Sequence, residues 1–269
     1  MIQKLNQSFY LPEELFFLIK QSRVFYEKTS GAFNPSLYPV IREWGFTTEN
    51  YRIPSVERIN ELLKHTDFTK LTFTDEKHTA VKKPAGMQLD FGAVGKGYAG
   101  DRAAEILKKN GIKSAILDFG GNIQTIGNKP DGSAWTVGIK NPWAAAEGGN
   151  AVACGVKIRD KAVITSGGYE RFFIGEDGKK YIHIFDGKTG RPVENDLESV
   201  TIICEKGLYG DALSTSLFVM GKEKAVQFWK ENRDFDFILI TKKRELLCTK
   251  SIKDEMKIIF DFENISIVE

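Results

Sequence analysis

The sequence predicts an α+β fold, with mixed and largely antiparallel sheets packed against helices in a single domain. Strand-like runs dominate the middle of the chain. Helical segments stand before and after them without the regular alternation that a doubly wound sheet needs. No internal repeat or low-complexity linker divides the 269 residues, a length that supplies ample core for one large domain.

The elements follow in order. Leu11-Pro12-Glu13-Glu14 opens a helix with proline and acids in its first turn, and Gly31 ends it. Ser55 caps a second helix carrying Ile59, Leu62 and Leu63 at i, i+3 and i+4. From Leu89 the chain enters a glycine-rich loop, Gly92-Ala93-Val94-Gly95-Lys96-Gly97. A helical segment with Ala103, Ala104, Ile106 and Leu107 follows and closes at Gly111. Ile112 to Phe119 reads as a strand ending on a second glycine turn, Gly120-Gly121-Asn122. Trp135 to Ile139, Gly155 to Ile158 and Ala162 to Thr165 read as strands, and Phe172 to Gly175 with Tyr181 to Asp186 as a hairpin through Glu176-Asp177-Gly178-Lys179. Ser199 to Cys204 is another strand. Helices from about Asp211 to Met220 and Lys222 to Asn232, then a hairpin around Lys242-Lys243-Arg244, precede the tail.

Composition excludes several classes. A net charge of +2, without a basic block or interleaved aromatic stripe, predicts no nucleic-acid partner. No apolar run approaches membrane-spanning length, and Met1 to Tyr10 lacks the basic-then-apolar pattern of a signal peptide. Cys154, Cys204 and Cys248 are far apart in strand-like contexts, with no zinc spacing, and read as buried thiols.

Chemistry concentrates in a few places. Both glycine turns can bring bare amides to a ligand, and turn amides and helix N-termini favour anions. Lys96 adds a point cation for phosphate. The run is neither a P-loop, since Asp90 stands where the first glycine belongs and Gly97 replaces the hydroxyl residue, nor a G-x-G-x-x-G fingerprint. Alone, it stays open between a phosphate loop and a tight strand-to-helix turn. Gly120, Gly121 and Asn122 suit amide contacts to phosphate or adenine, or a plain hairpin turn. Asp101 suits a ribose hydroxyl, or the positive end of its own helix. Ser166 and Gly167 are candidate nucleotide contacts. Asp211 and Thr215, four apart on one helix face, can bring a carboxylate and a hydroxyl to one hard cation such as magnesium. Equally, Asp211 can cap its helix and Thr215 can bond back to the preceding turn. His183 is the main acid/base candidate because imidazole titrates near neutrality. A lone histidine in an alternating strand is also a common packing residue. His65 and His78 read as surface residues.

Asp90-Phe91-Gly92-Ala93-Val94-Gly95-Lys96-Gly97-Tyr98-Ala99, with Asp101-Arg102-Ala103 behind it, resembles the signature of the FAD:protein FMN transferases, the ApbE family. Five further elements resemble that family in order: Thr29-Ser30-Gly31-Ala32-Phe33-Asn34-Pro35 with Trp44-Gly45-Phe46; Asp118-Phe119-Gly120-Gly121-Asn122; Ile164-Thr165-Ser166-Gly167-Gly168; His183-Ile184-Phe185-Asp186 with Thr189-Gly190-Arg191-Pro192; and Asp211-Ala212-Leu213-Ser214-Thr215. The resemblance implies the ApbE, T-fold-like architecture and magnesium-dependent transfer of FMN from FAD to a threonine or serine hydroxyl of an acceptor, with release of AMP. It implies FAD contacts from Asp90, Gly92, Ala93, Lys96, Asp101, Gly120, Gly121, Asn122, Ser166, Gly167 and His183. The Ala93 carbonyl joins Asp211 and Thr215 on the metal, and His183 and Lys96 carry the catalysis. The implied partner is an electron-transfer flavoprotein subunit with a D-x-x-[ST]-G-A-[ST] motif, and the implied location the extracytoplasmic side of a bacterial cell envelope. Leu5-Asn6 sits almost at the start, so the family's opening segment, and any membrane tether it carries, is expected to be missing. Two rival readings are a metal-dependent FAD pyrophosphatase giving FMN and AMP, and a non-catalytic flavin carrier.

Overall fold

A computed structural model describes residues 9–75 and 79–269. Leu5-Asn6 and His78 lie outside the described residues. The helices are α1 (Glu13–Lys28), α2 (Tyr38–Glu43), α3 (Val56–Leu63), α4 (Gly92–Lys109), α5 (Ala144–Glu147), α6 (Gly207–Met220) and α7 (Lys222–Glu231). The described residues pack as two compact units: those up to Phe91 with 171–193, and residues 92–170 with 194–269.

In the first unit, α1 starts after Pro12 with Glu13 and Glu14 in its first turn. It closes where Gly31, at φ 81°, donates its amide to the Tyr26 carbonyl at 2.8 Å. Ser55 caps α3, its Oγ accepting the Arg58 amide at 3.2 Å, as the sequence predicts. A small antiparallel sheet that the sequence did not signal joins Phe9–Tyr10, Ala80–Lys82 and Thr72–Asp75. Residues 171–193 return to this unit as two ribbons, Phe172–Ile174 with Lys180–Ile182 and Phe185–Asp186 with Arg191–Pro192. The expected strand Tyr181 to Asp186 is therefore broken, with a bend at His183. The bend turns the chain back under Trp44, whose Nε1 donates to the Gly190 carbonyl at 3.0 Å. Trp44, Phe46, Tyr51, Phe173, Tyr181 and Phe185 stack around that contact. Two sequence elements far apart in the chain, Trp44-Gly45-Phe46 and Thr189-Gly190-Arg191-Pro192, thus complete one aromatic core.

The second unit is built on a seven-stranded sheet. In spatial order its strands are Asn264–Val268, Glu245–Thr249, Asp236–Thr241, Leu197–Cys204, Ala162–Gly167, Asn122–Ile126 and Ala115–Phe119. All neighbours are antiparallel except the pair Glu245–Thr249 with Asn264–Val268. This is the mixed, largely antiparallel α+β arrangement expected. Leu197–Cys204 lies in the middle and is buried along almost its whole length, as a strand covered on both faces must be. One face carries α6. On the other, Val163, Ile203, Ile238, Ile240 and Leu246 pack with Val137, Ile139, Cys154, Val156 and Ile158 of the three-stranded sheet Met256–Ile258, Val152–Ile158, Trp135–Lys140. The three cysteines are buried free thiols.

Two local expectations change here. Gly92 to Gly97 is not a loop but the opening turns of α4, an 18-residue helix. And α6 begins at Gly207, one turn before Asp211. One cause explains both. A Cβ placed on Gly97 would lie 2.1 Å from the Gly207 carbonyl oxygen, so α4 and α6 cross with their backbones in contact. The glycines purchase that approach at a cost in helix propensity, which disguises both helix starts in the sequence.

The crossing gives a signed test. Gly97→Ala should destabilise the protein by about 1–3 kcal/mol, the usual penalty for forcing a methyl into a packed contact. Gly95→Ala has nothing within 4 Å of its new methyl and should stabilise by about 0.5–1 kcal/mol. Urea unfolding of both variants measures this; a like sign for the two would remove the contact as the reason for Gly97.

Candidate active site

The second unit gathers most of the sequence candidates around the α4–α6 crossing. Asp211 is 4% exposed, and its Oδ2 accepts the Gly97 amide of α4 at 2.9 Å. In an uninterrupted helix that amide serves the carbonyl four residues back, here Ala93. Asp211 is therefore not the cap of its own helix. Burial pushes its carboxyl above the ordinary value of 3.8; the Gly97 amide, the buried Asn122 carboxamide and the Lys96 charge oppose this without cancelling it.

Asp101 mirrors Asp211. From the third turn of α4 its two carboxylate oxygens accept the Gly207 and Leu208 amides at 2.7 and 3.0 Å, capping α6. Burial raises this carboxyl too, against those amides and the Lys206 charge. The own-helix role gives way, because α4 begins nine residues before Asp101 and its oxygens hold the amides of another helix.

Hydroxyls surround the next turn of α6. Ser166 Oγ, near the end of strand Ala162–Gly167, is 2.8 Å from Ser214 Oγ and 3.3 Å from Thr215 Oγ1, and Ser214 Oγ donates to the Asp211 carbonyl at 3.0 Å. Ser166 and Thr215, separate candidates in the sequence, are thus neighbours. Ser214, which sequence reasoning missed, joins them to Asp211; its only signal was its place beside Thr215. Gly167 lies against the Tyr169 ring, where a Cβ would stand 2.6 Å from Cε1.

Gly120 and Gly121, at φ 63° and 89°, form the two-residue turn between Ala115–Phe119 and Asn122–Ile126, with the Gly121 amide on Asp118 Oδ1 at 2.7 Å. The hairpin reading holds for these two, and Asn122 alone of the three is buried beside Asp211. Gly92, Ala93 and Lys96 stand at the N-terminal end of α4, where helix amides and the lysine charge favour an anion.

Among the described residues no group of three or more His, Cys, Asp or Glu side chains is placed to hold a metal. The donor chemistry along this stretch of α6 is instead all oxygen, with the Asp211 carboxylate and, at the next turn, the clustered Thr215, Ser214 and Ser166 hydroxyls. It fits a hard ion completed by water and phosphate oxygens, as magnesium is, and not zinc.

His183 and Asp90 belong to the first unit. The Asp90 amide donates to the Pro35 carbonyl at 2.8 Å. At the bend, the Arg171 carbonyl meets both the His183 amide and its Nδ1, each at 3.1 Å. A carbonyl only accepts, so Nδ1 carries the proton in the neutral ring and Nε2 is the basic nitrogen. Asp186 Oδ1 accepts the Lys188 amide at 2.8 Å within the turn that ends at Gly190. His65 meets the Ala85 carbonyl at 3.1 Å.

The model of the ApbE family matches residues 1–239. The chain belongs to the ApbE family. A curated relative from Treponema pallidum, FAD:protein FMN transferase, is 33% identical over 91% of this chain and 70% of its own length. One of the same name from Klebsiella pneumoniae is 34% identical over 81% and 66%, and that of Escherichia coli K12 is 35% identical over 74% and 56%. The chain thus spans between 56% and 70% of the length of these relatives. Among solved structures, the ApbE protein of Thermotoga maritima superposes with a TM-score of 0.84 at 36% identity, over 93% of this chain and 80% of that one. The flavin transferase ApbE of Vibrio cholerae gives 0.81 at 26%, over 93% and 79%. These matches establish the ApbE fold, and the family is one of flavin transferases.

The raised carboxyl of Asp211 fixes a sign. A carboxyl whose folded pKa exceeds its unfolded value contributes stability below the unfolded value and loses it as pH rises through the folded one. Asp211→Asn removes that loss. Its melting temperature should gain on the parent as pH rises from 3.8 through the raised value. Thermal melts across acidic to neutral pH check this, and a gap independent of pH would contradict it.

Proposed function

We propose that this chain transfers FMN from FAD to a serine or threonine hydroxyl of an acceptor protein, with magnesium as the resident ion. Relatives that carry the name FAD:protein FMN transferase support the substrate. The single observation that carries the reading is the Asp211 site: a buried carboxylate on the Gly97 amide of α4, with three clustered hydroxyls at the next turn of α6.

Asp211 and Thr215, with the Ala93 carbonyl, would hold the ion, which supplies charge neutralisation for phosphate oxygens. The first-turn amides of α4 and Lys96 take pyrophosphate charge as fixed dipoles and a mobile cation, so the protein's work is positioning and electrostatics. The acceptor oxygen bonds to the phosphorus of the FMN half as the bridging P–O bond of FAD breaks and AMP leaves with that oxygen. His183 Nε2 receives the acceptor's hydroxyl proton. The acceptor is a flavoprotein subunit with the D-x-x-[ST]-G-A-[ST] motif, on the outer side of the cell envelope.

Incubating the chain with FAD, magnesium and an acceptor peptide of that motif tests the reading. Flavin-labelled peptide supports it; free FMN with AMP makes the chain a pyrophosphatase, and unchanged FAD makes it a carrier. Asp211→Asn should abolish labelling while the circular dichroism spectrum stays that of the parent; undiminished labelling would sink the metal assignment.

A threonine hydroxyl is a poor nucleophile until a base takes its proton, help worth about 10²–10⁴ in rate. His183→Ala should slow transfer by about that factor with little change in FAD affinity, and should lose the basic limb of the parent's pH profile. Loss of FAD binding in proportion to rate would return His183 to a packing or ligand-contact role.

A further inference from the structure

The first unit contains a polar cleft of about 620 Å³ between α2, α3 and the chain that joins them. Its walls hold three arginines, Arg42, Arg52 and Arg58, against one carboxylate, Glu43. None of these residues belongs to the sequence elements assigned above, and none takes part in the transfer chemistry.

Glu43 organises two of the arginines. Its Oε1 accepts Arg52 Nη2 at 2.7 Å and its Oε2 accepts Arg58 Nε at 3.1 Å. The Glu43 side chain is 20% exposed, while those of Arg52 and Arg58 are 55% and 43% exposed, so the carboxylate is the sheltered group and the guanidiniums are the open ones. Burial alone would push Glu43 up, but the two arginines together hold its carboxyl below the usual range, which keeps it ionised at neutral pH. Arg58 also gives Nη1 to Glu61 at 2.9 Å, outside the cleft lining. A guanidinium has five N–H donors. Arg52 spends one on Glu43, and Arg58 spends one there and one on Glu61, so both keep donors after the network is satisfied.

Arg42 completes the set differently. It is exposed in the last turn of α2 and has neither an ion pair nor a side-chain hydrogen bond among the described residues. Thr48, Asn50 and Gln88 add neutral polar groups to the lining. The volume lies within the range of about 300–1,000 Å³ usual for small-molecule sites. Positive charge in excess, two guanidiniums already held in place and a third uncommitted are what a compact, doubly charged oxyanion requires, because preorganised forks lose little freedom on binding.

We propose that this cleft is an oxyanion site for phosphate, taken either as the free ion or as the terminal group of a phosphate monoester, with Arg42 as the residue that closes on it. The cleft shares no residue with the Asp211 centre and does not depend on the transfer reading.

Calorimetric titration of the full chain in low-salt chloride buffer tests it, with inorganic phosphate in one arm, glycerol phosphate in a second and malonate in a third. One saturable site for either phosphate form supports the proposal, and the tighter of the two identifies the source. Arg42→Gln should weaken that binding tenfold or more and leave the ligand-free melting temperature unchanged, since Arg42 has no partner to lose among the described residues. Asp211→Asn should bind phosphate as the parent does. Absence of saturable heat, equal affinity in Arg42→Gln, preference for malonate, or loss of phosphate binding in Asp211→Asn would each overturn it.

Discussion

The contact between the backbones of Gly97 and Gly207 governs the second unit. Where α4 and α6 meet, each helix lends a carboxylate to the other: Asp211 to the Gly97 amide, Asp101 to the Gly207 and Leu208 amides. Asp101 satisfies amides that the start of α6 leaves open, whereas Asp211 takes a Gly97 amide that lies beyond the first four of α4 and would otherwise serve the Ala93 carbonyl. Side chains on either glycine would hold the backbones apart and break both exchanges. The same approach sets Asp211 one turn into α6 and beside the start of α4, so a structural constraint and a chemical site share their atoms.

That sharing explains an otherwise costly arrangement. A carboxylate that is only 4% exposed is expensive in a protein interior unless hydrogen bonds or charges compensate it. Here one backbone amide, one carboxamide and one lysine compensate in part, and the carboxyl stays raised. The remaining deficit is an appetite for positive charge. The Ser166, Ser214 and Thr215 hydroxyls add oxygen donors at the next turn of α6 without adding a second negative charge. In the first unit the Arg171 carbonyl, 3.1 Å from His183 Nδ1, sets the tautomer of that ring.

Much of this was legible in the sequence, for reasons that can be located. Ser55, Pro12 and Gly31 marked their helix ends because caps and stops act through one or two residues. The broad α+β class followed from the strand-rich middle. The glycine run did not declare itself as helix, because glycine weakens local helical preference while the compensating contact lies over a hundred residues away. Asp101 could not be read as a cap for the same reason: its partners, Gly207 and Leu208, belong to another helix. The strands Thr72–Asp75, Ala80–Lys82, Met256–Ile258 and Asn264–Val268 are short or lie at sheet edges, where alternation is weakest. The run from Tyr181 to Asp186 alternates like a strand and bends nonetheless, since Trp44 and the Arg171 carbonyl decide its path.

The first unit is discontinuous in the chain, and this bears on how the protein is made. Trp44 and Phe46 emerge early in synthesis, yet Phe173, Tyr181, Phe185 and the Gly190 carbonyl that cover them follow more than a hundred residues later. At roughly 5–20 residues per second that is a wait of several seconds or more. Throughout it a nascent chain carries bare aromatic surface that only its own later segment can hide. Every residue that separates 91 from 171 lengthens that exposure, so the order of the sequence sets how long the surface stays bare.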